Sequence, residues 1–432
     1  MTAKKTISRR HFLKGAAAAT AAPLFLPACT TTGRGRPGAN DKINVVAVGV
    51  GWQGTSNMEG FLGNNNCRVI AVCDVDRQHL LAAQNMVNTA YGSQDCKAYK
   101  NFEELYEQED IDAVSIALPD HWHAIPAIAA AKKGFDIYGE KPLSHTWAEG
   151  RAMVDAVEKN NCIWQTGSWQ RSVENFRHAC ELVRNGYIGK VTRVEVGLYD
   201  GYTDYAKTGD QTAFVQPPDY FDYDRWLGPA QVAPYCPART HKNWRWIMAY
   251  GGGRIMDWCG HHVDIAHWGM NCDHTGPISV EGTGIIPDKK SLWNAPTEYD
   301  CTAIYANGVE MNISSKHPGG TKWIGDNGWI FVTRGETTAS NPALVDQKIG
   351  DNEVHLYESR NHIANFLDCI RTRQETITPA ETAHRSATVG HLCNVAIYSG
   401  RKIQWNPDTE RIIGDADASK MLYPEYRKPW VL

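Results

Sequence analysis

INVVAVGVGWQG, residues 43–54, runs from a short apolar, β-branched segment straight into three glycines spaced G-x-G-x-x-G. That order, strand then glycine turn then helix, is the opening of a dinucleotide-binding βαβ unit. The glycines alone are a common pattern. They gain weight because a second apolar run, Val69-Ile70-Ala71-Val72-Cys73, ends in Asp74, twenty residues beyond Gly54. In such a unit Gly49 permits the tight turn, Gly51 lets backbone approach a pyrophosphate, and Gly54 lets helix and strand pack closely. Trp52 and Gln53 sit inside the turn and share its phosphate-facing backbone. Asp74 is placed to accept from a ribose 2′-hydroxyl and to repel a 2′-phosphate, so NAD is expected over NADP, with Arg77 close enough to weaken the preference.

The alternation continues through Ala113-Val114-Ser115-Ile116-Ala117-Leu118, a helix from about residue 125 to 133, and Phe135-Asp136-Ile137-Tyr138. A doubly wound parallel sheet is the expectation for residues 42–167. Ligands of such sheets bind at the carboxyl ends of the strands. The candidates there are Pro119, His121 and His123 after one strand and Glu140 and Lys141 after the next, with Pro142 holding Lys141 extended.

From about Ser168 the rhythm changes to longer amphipathic segments and to strands such as Val191–Val196 and Cys301–Tyr305 without intervening helices. Residues 168–432 are therefore expected to form an α/β domain with a large, mostly antiparallel open sheet. Many of the 15 Trp and 18 Tyr fall between Tyr199 and Trp268. Flat aromatic faces suit the apolar faces of sugar rings. Arg171, Arg239, His241, Trp244, Arg245, Tyr250 and His262 are the candidates for contacting a sugar or glycoside substrate. Within this region GGGRIMDWCGHHVDIAHWG, residues 251–269, concentrates histidines and aspartates. A helix starting after the glycines puts Asp257, His261 and Asp264 on one face. It offers neither H-E-x-x-H nor a closing thiolate pair, so no metal is expected. A carboxylate one turn from an imidazole instead suggests an acid/base pair, in which Asp257 orients His261 and raises its pKa.

At 432 residues, 42% hydrophobic and 21% charged, with a net charge of −4, the chain has the composition of a globular protein. It has no basic excess that would point to nucleic acid. The basic groups Lys4, Lys5, Arg9, Arg10 and Lys14 precede any acidic residue, and Ser8-Arg9-Arg10-His11-Phe12-Leu13-Lys14 followed by an Ala-rich stretch resembles a twin-arginine export signal. Residues 1–29 are read as that signal. Leu26-Pro27-Ala28-Cys29 resembles a lipoprotein cleavage box, although Pro27 departs from the usual small residue, and makes Cys29 a candidate lipid anchor on a periplasmic protein. Residues 30–41 read as a flexible tether. Twin-arginine substrates fold before export, so the 12 cysteines are expected to be mostly thiols.

Taken together, Gly49-x-Gly51-x-x-Gly54, Glu140-Lys141-Pro142 and GGGRIMDWCGHHVDIA resemble the glucose–fructose oxidoreductase, inositol dehydrogenase and rhizopine-catabolism family over residues 42 to about 400. The resemblance implies a Rossmann domain followed by an α/β domain, an assembly of dimers or tetramers, and Lys141, Asp257 and His261 as the catalytic group. Cys259 stands where the family usually has glycine, with Gly260 displaced by one, which suggests a shifted helix start. The resemblance also brings two alternatives to a sugar oxidoreductase: an NAD-dependent glycosidase, in which the E-K-P lysine is typically absent, and a sugar-binding protein. Export with a dinucleotide site leads to the expectation of a tightly bound, recycled cofactor, covered in part by the tether or by the C-terminal YRKPWVL.

Overall fold

The computed structural model describes residues 41–107, 110–288 and 290–432; the export signal, the Cys29 anchor and nearly all of the tether lie outside these. Among the described residues the strands form two sheets. The first takes β1 (Ile43–Val48), β2 (Cys67–Cys73), β3 (Lys97–Tyr99), β4 (Ala113–Ile116), β5 (Asp136–Gly139) and β6 (Trp164–Thr166), all parallel, in the order β3-β2-β1-β4-β5-β6. Its crossover helices include α1 (Gln53–Leu62), α2 (Arg77–Tyr91), α3 (Ala124–Lys132) and α4 (Trp147–Lys159).

Both faces of this sheet are covered, which is why its strands read as near-continuous apolar runs. Val45 and Ala47 of β1 point into one core with Met58, Phe61 and Leu80 of α1 and α2, while Val46 and Val48 point into the other with Ala127 and Ala130 of α3. The two short strands β3 and β6 carry too few residues to show a period in the sequence. They are held by pairing with β2 and β5.

The second sheet is built from β7 (Val191–Gly197), β8 (Ser279–Ile285), β9 (Glu298–Ile304), β10 (Glu310–Ser314), β11 (Gly320–Gly325), β12 (Gly328–Thr333), β13 (Glu336–Ala339), β14 (Ile403–Asn406) and β15 (Arg411–Ile412). The order is β13-β12-β11-β7-β10-β9-β8-β14-β15; β7 and β10 run parallel and the other neighbours antiparallel. One face is covered by α5 (Glu174–Arg184), α6 (Gly253–Met270) and α8 (Ala380–Ser399), and α7 (His362–Thr372) packs instead on the first sheet through Phe366, Leu367 and Ile370. In β9, Tyr299, Cys301 and Ala303 alternate inward with outward Glu298 and Asp300, the period expected of a sheet packed on one side.

The described residues form one contact unit, so the two sheets share a continuous structure. No helix among the described residues is long and apolar enough to cross a membrane. The 11 cysteines described are free thiols, most of them buried.

Candidate active site

A cleft of about 520 Å³ opens at the carboxyl ends of β1, β2, β4 and β5, where the chain leaves Gly49, Asp74, Ala117 and Glu140, and extends to the start of α6. At one end is the glycine turn. Gly49 has φ of 80°, and a Cβ on it would lie 2.5 Å from the Ala117 carbonyl oxygen; a Cβ on Gly54 would lie 2.0 Å from the Gly49 oxygen. The helix that follows, α1, has no acidic residue in its first turn and no side-chain cap, which leaves the partial positive charge of its N-terminus facing the cleft. Trp52, itself at φ of 35°, stands exposed at the cleft mouth and Gln53 lines it.

Asp74 lines the same end but has a second task. Its carboxylate accepts from the backbone N–H of Val50 and of Asp76, both at 2.9 Å, tying the glycine turn to the end of β2. Burial raises its pKa, against the opposing pull of His79 and these two N–H groups. Beyond it, Asp76, His79 and His241 bring one metal-capable atom each within 4.8 Å of one another. No local pattern in the chain marks this group, because His241 comes from a distant loop. Asp76 is also the N-cap of α2, accepting from Gln78 N at 2.7 Å.

Of the residues expected after β4, Pro119 lines the cleft. His121 and His123 do not, which corrects their expected contact with the cofactor. His121 Nε2 lies 3.1 Å from the Trp226 carbonyl, and the ring packs against Trp226 and Tyr250. His123 lies 2.8 Å from Pro142 O and 2.9 Å from Leu118 O, linking the loop after β4 to the segment after Lys141. Burial lowers their pKa values to about 3 and about 4, so both are neutral braces. Glu140 lines the cleft and accepts from Asn57 of α1 at 2.9 Å; burial raises its pKa.

At the other end of the cleft, Lys141 Nζ donates to the Asp257 backbone carbonyl at 2.7 Å and to its carboxylate at 3.1 Å, while Arg245 Nε donates to the same carboxylate oxygen at 3.2 Å. Burial pushes the Asp257 carboxyl up, but Lys141 and Arg245 more than offset it and leave its pKa below the ordinary value. The helix begins at Gly253. Cys259 is buried in the core, and Gly260 is the residue that lets α6 approach the Lys141 stem, since a Cβ there would stand 3.0 Å from Lys141 Cβ.

His261 lines the cleft, but Asp257 does not orient it. Asp257 is turned towards two cations, and His261 Nδ1 is buried without a partner. The expected rise in the His261 pKa is reversed: burial first, then the charges of Lys141 and Arg334, hold it well below the usual value. The imidazole is therefore neutral near pH 7. One helical turn brings two side chains within reach of each other, but which partner each takes is decided by the groups packed against the helix.

The same limit applies to the expected substrate residues. His241, Trp244 and Arg245 line the cleft; Arg171, Arg239, Tyr250 and His262 do not. Arg171 is buried in ion pairs with Asp264 at 2.7 Å and Asp273 at 2.8 Å, which removes Asp264 from the cleft as well. Arg239 donates to Pro234 O at 3.0 Å and to the Tyr250 hydroxyl at 3.3 Å inside an aromatic cluster. His262 stacks on Trp258 at 5.4 Å. The C-terminal segment does not line the cleft either. Trp430 packs at 4.9 Å on Trp122 and Arg427 donates to Gly228 O, behind the cleft wall. Trp169, Tyr205 and Arg334 also line the cleft and carried no sequence signal.

Comparisons with known proteins agree with this arrangement. Residues 43–168 match the NAD-binding Rossmann fold of an oxidoreductase family, residues 172–432 match its C-terminal alpha/beta domain, and residues 6–25 match the twin-arginine translocation pathway signal sequence. The chain is 30% identical over 148 residues to myo-inositol 2-dehydrogenase of Thermotoga maritima, covering 34% of this chain and 42% of that one. It is 30% identical over 219 residues to an alpha-N-acetylgalactosaminidase of Shewanella oneidensis, covering 44% and 45%. It is 27% identical over 149 residues to 2,7-anhydro-N-acetylneuraminate hydratase of Mediterraneibacter gnavus, covering 34% and 37%. The matched segments thus span less than half of these relatives. Among solved structures, the WlbA dehydrogenase from Bordetella pertussis in complex with NADH and UDP-GlcNAcA shares the fold at a TM-score of 0.63 and 18% identity, over 84% of this chain and 99% of that one. An aldose-aldose oxidoreductase from Caulobacter crescentus, complexed with glycerol, gives 0.58 and 19% over 84% and 99%.

Proposed function

The chain belongs to this oxidoreductase family, and on that footing we propose that it oxidises and reduces a secondary hydroxyl of a sugar or glycoside, with NAD as its cofactor. One juxtaposition supports it: a neutral, unpartnered His261 and a Lys141 fixed by Asp257 share a single cleft with an uncapped glycine turn.

The cleft fits a dinucleotide. Side chains at Gly49 and Gly54 would fill the turn, the N-terminus of α1 suits a pyrophosphate, and Asp74 lines the end where a ribose would lie. When bound, NAD would supply a hydride acceptor for the carbinol carbon. His261, held neutral by burial, accepts the hydroxyl proton. Lys141 faces the oxygen on which charge develops, and Asp257 and Arg245 keep it in place. The test is absorbance at 340 nm with purified protein, NAD and a panel of sugars and glycosides. With the cofactor held on the protein, a rise limited to about one NADH per chain is expected with one sugar class and is reversed by a keto-sugar, and no rise with any carbohydrate counts against the proposal.

The twin-arginine signal favours export to the periplasm with the cofactor loaded beforehand, because little free NAD is available for exchange outside the cytosol. The cofactor then acts as a bound group whose hydride returns to a second carbonyl. Extensively dialysed protein should release about one NAD(H) per chain on denaturation, whereas an empty protein with activity that tracks added NAD would refute tight binding. A Cys29 lipid anchor predicts recovery of the protein in the membrane fraction with an acylated terminus by mass spectrometry. A homo-oligomer, dimer or tetramer, predicts a corresponding mass by light scattering.

A second reading is favoured by the match to the alpha-N-acetylgalactosaminidase: transient oxidation of a glycoside, elimination of the aglycone, addition of water and return of the hydride. Released aglycone with no net change in NADH would identify it, while an accumulating keto-sugar would identify the oxidoreductase.

A further inference from the structure

We propose that the substrate is an anionic sugar, carrying a carboxylate or a phosphate, and that Arg334 binds the anion. This rests on reading the His261 end of the cleft as the sugar site. Arg334 follows β12 in the turn before β13, far in sequence from every other group at this end. Its guanidinium lies between two indoles, 4.5 Å from the Trp169 ring and 4.8 Å from the Trp258 ring. Its Nε donates to the Gln170 amide oxygen at 3.1 Å. Gln170 is itself fixed, because its Nε2 lies 3.3 Å from the His261 carbonyl and 3.4 Å from His262 Nδ1 on α6.

Stacking and one hydrogen bond therefore fix the plane of the guanidinium while using only one of its five N–H groups. Neither Nη donates to a described residue, and no described carboxylate lies within ion-pairing distance. The neighbouring cations are differently placed. Lys141 and Arg245 share Asp257, and Arg225, at the opposite end of the cleft, pairs with Glu103. Arg334 alone among these lacks an anion. Lys242, over the Trp52 ring at 4.7 Å, adds a further positive charge at the mouth. Lys141 and Arg245 are held by Asp257, with Asp120 and Glu140 also near them in the cleft, which leaves Arg334 as the cation at this end with no carboxylate bound to it among the described residues. A planar fork that lines a cleft with neither Nη bonded to a described residue suits a carboxylate or phosphate in two-point contact. A purely structural arginine would be expected to direct its Nη groups to protein acceptors, as Arg373 directs Nη1 to the Asp136 carboxylate and Nη2 to the Asn161 carbonyl, each at 2.6 Å.

The experiment is calorimetric binding of glucuronate, glucose 6-phosphate and glucose to the protein as purified with its cofactor, using wild type, Arg334→Gln and Arg334→Lys. At least one anionic probe should bind about ten- to a hundredfold more tightly than glucose to the wild type. That ratio should collapse towards unity in Arg334→Gln and recover only in part in Arg334→Lys, which keeps the charge and loses the fork. Tighter binding of glucuronate would assign a carboxylate, and of glucose 6-phosphate a phosphate. Equal binding of all three probes, or an anion preference that survives Arg334→Gln in protein with unchanged melting temperature and cofactor content, would overturn the proposal. If the preference holds but no sugar is turned over, the oxidoreductase reading fails and this one stands.

Discussion

At the Gly49 end of the cleft the turn and the acidic strand end come from one stretch of chain, Val48 to His79, backed by Ala117 and joined by His241; at the His261 end the groups come from Lys141, Trp169, Arg245, Asp257, His261 and Arg334, carried by both sheets and the loops between them. The first end is set by backbone geometry. Gly49 and Gly54 are there because a Cβ would collide with main chain, and Asp74 holds the turn through backbone N–H groups. The second end is set by side-chain partners chosen after folding. A local site is specified by spacing, and a convergent one by which of several possible partners packing brings closest.

This contrast is tested first where a backbone collision is unavoidable. Gly49→Val adds a β-branched side chain at φ of 80° against the Ala117 carbonyl, so either folded protein is lost or NAD affinity falls more than about a hundredfold. Near-native NAD binding by fluorescence titration would show that the turn tolerates far more than its geometry allows. At the other end, His261→Ala and Lys141→Ala should each lower kcat by about 10² to 10⁴ while leaving released NAD(H) per chain unchanged. Turnover close to wild type in either would remove that residue from the chemistry.

Arg171 separates the cleft from its scaffold. Arg171→Ala leaves the buried Asp264 and the partly buried Asp273 without their cation, and should cost about 3 to 5 kcal/mol of stability in chemical denaturation. Its effect on KM should be small by comparison, and a large KM effect in protein of normal stability would return Arg171 to the substrate. Asp74→Ala should weaken NAD by about 1.5 to 3 kcal/mol and narrow the gap to NADP. Weaker binding with an unchanged NAD to NADP ratio would mean that Asp74 serves only the turn.

The smallest expected effect is that of pH between 8 and 6.5. His261 titrates well below 6.5 in the fold, so its proton-accepting form is complete throughout this range and is lost only as the pH falls through the depressed value. The logarithm of kcat/KM should be nearly flat there. An acid limb centred near 6.5 would indicate an imidazole that is neither desolvated nor beside two cations.

The order strand, glycine turn, helix, acidic strand end could be read from the chain because each step is a short-range constraint: β-branched residues extend, glycine relieves a clash, and the next strand follows at a fixed crossover length. Lys141, Asp257 and His261 could be placed at the carboxyl ends of strands and on one helix for the same reason. The three-residue strands β3 and β6 could not, since their pairing and not their composition makes them strands. Neither could the partner of Asp257, the neutrality of His261, the removal of Arg171, Arg239, Tyr250 and His262 into the core, or the arrival of Arg334 between two tryptophans. Helical spacing gives the directions in which a side chain can point. Only the packed structure fixes which charges and rings lie in those directions, and electrostatic partnership falls off too steeply with distance and exposure for spacing alone to decide it.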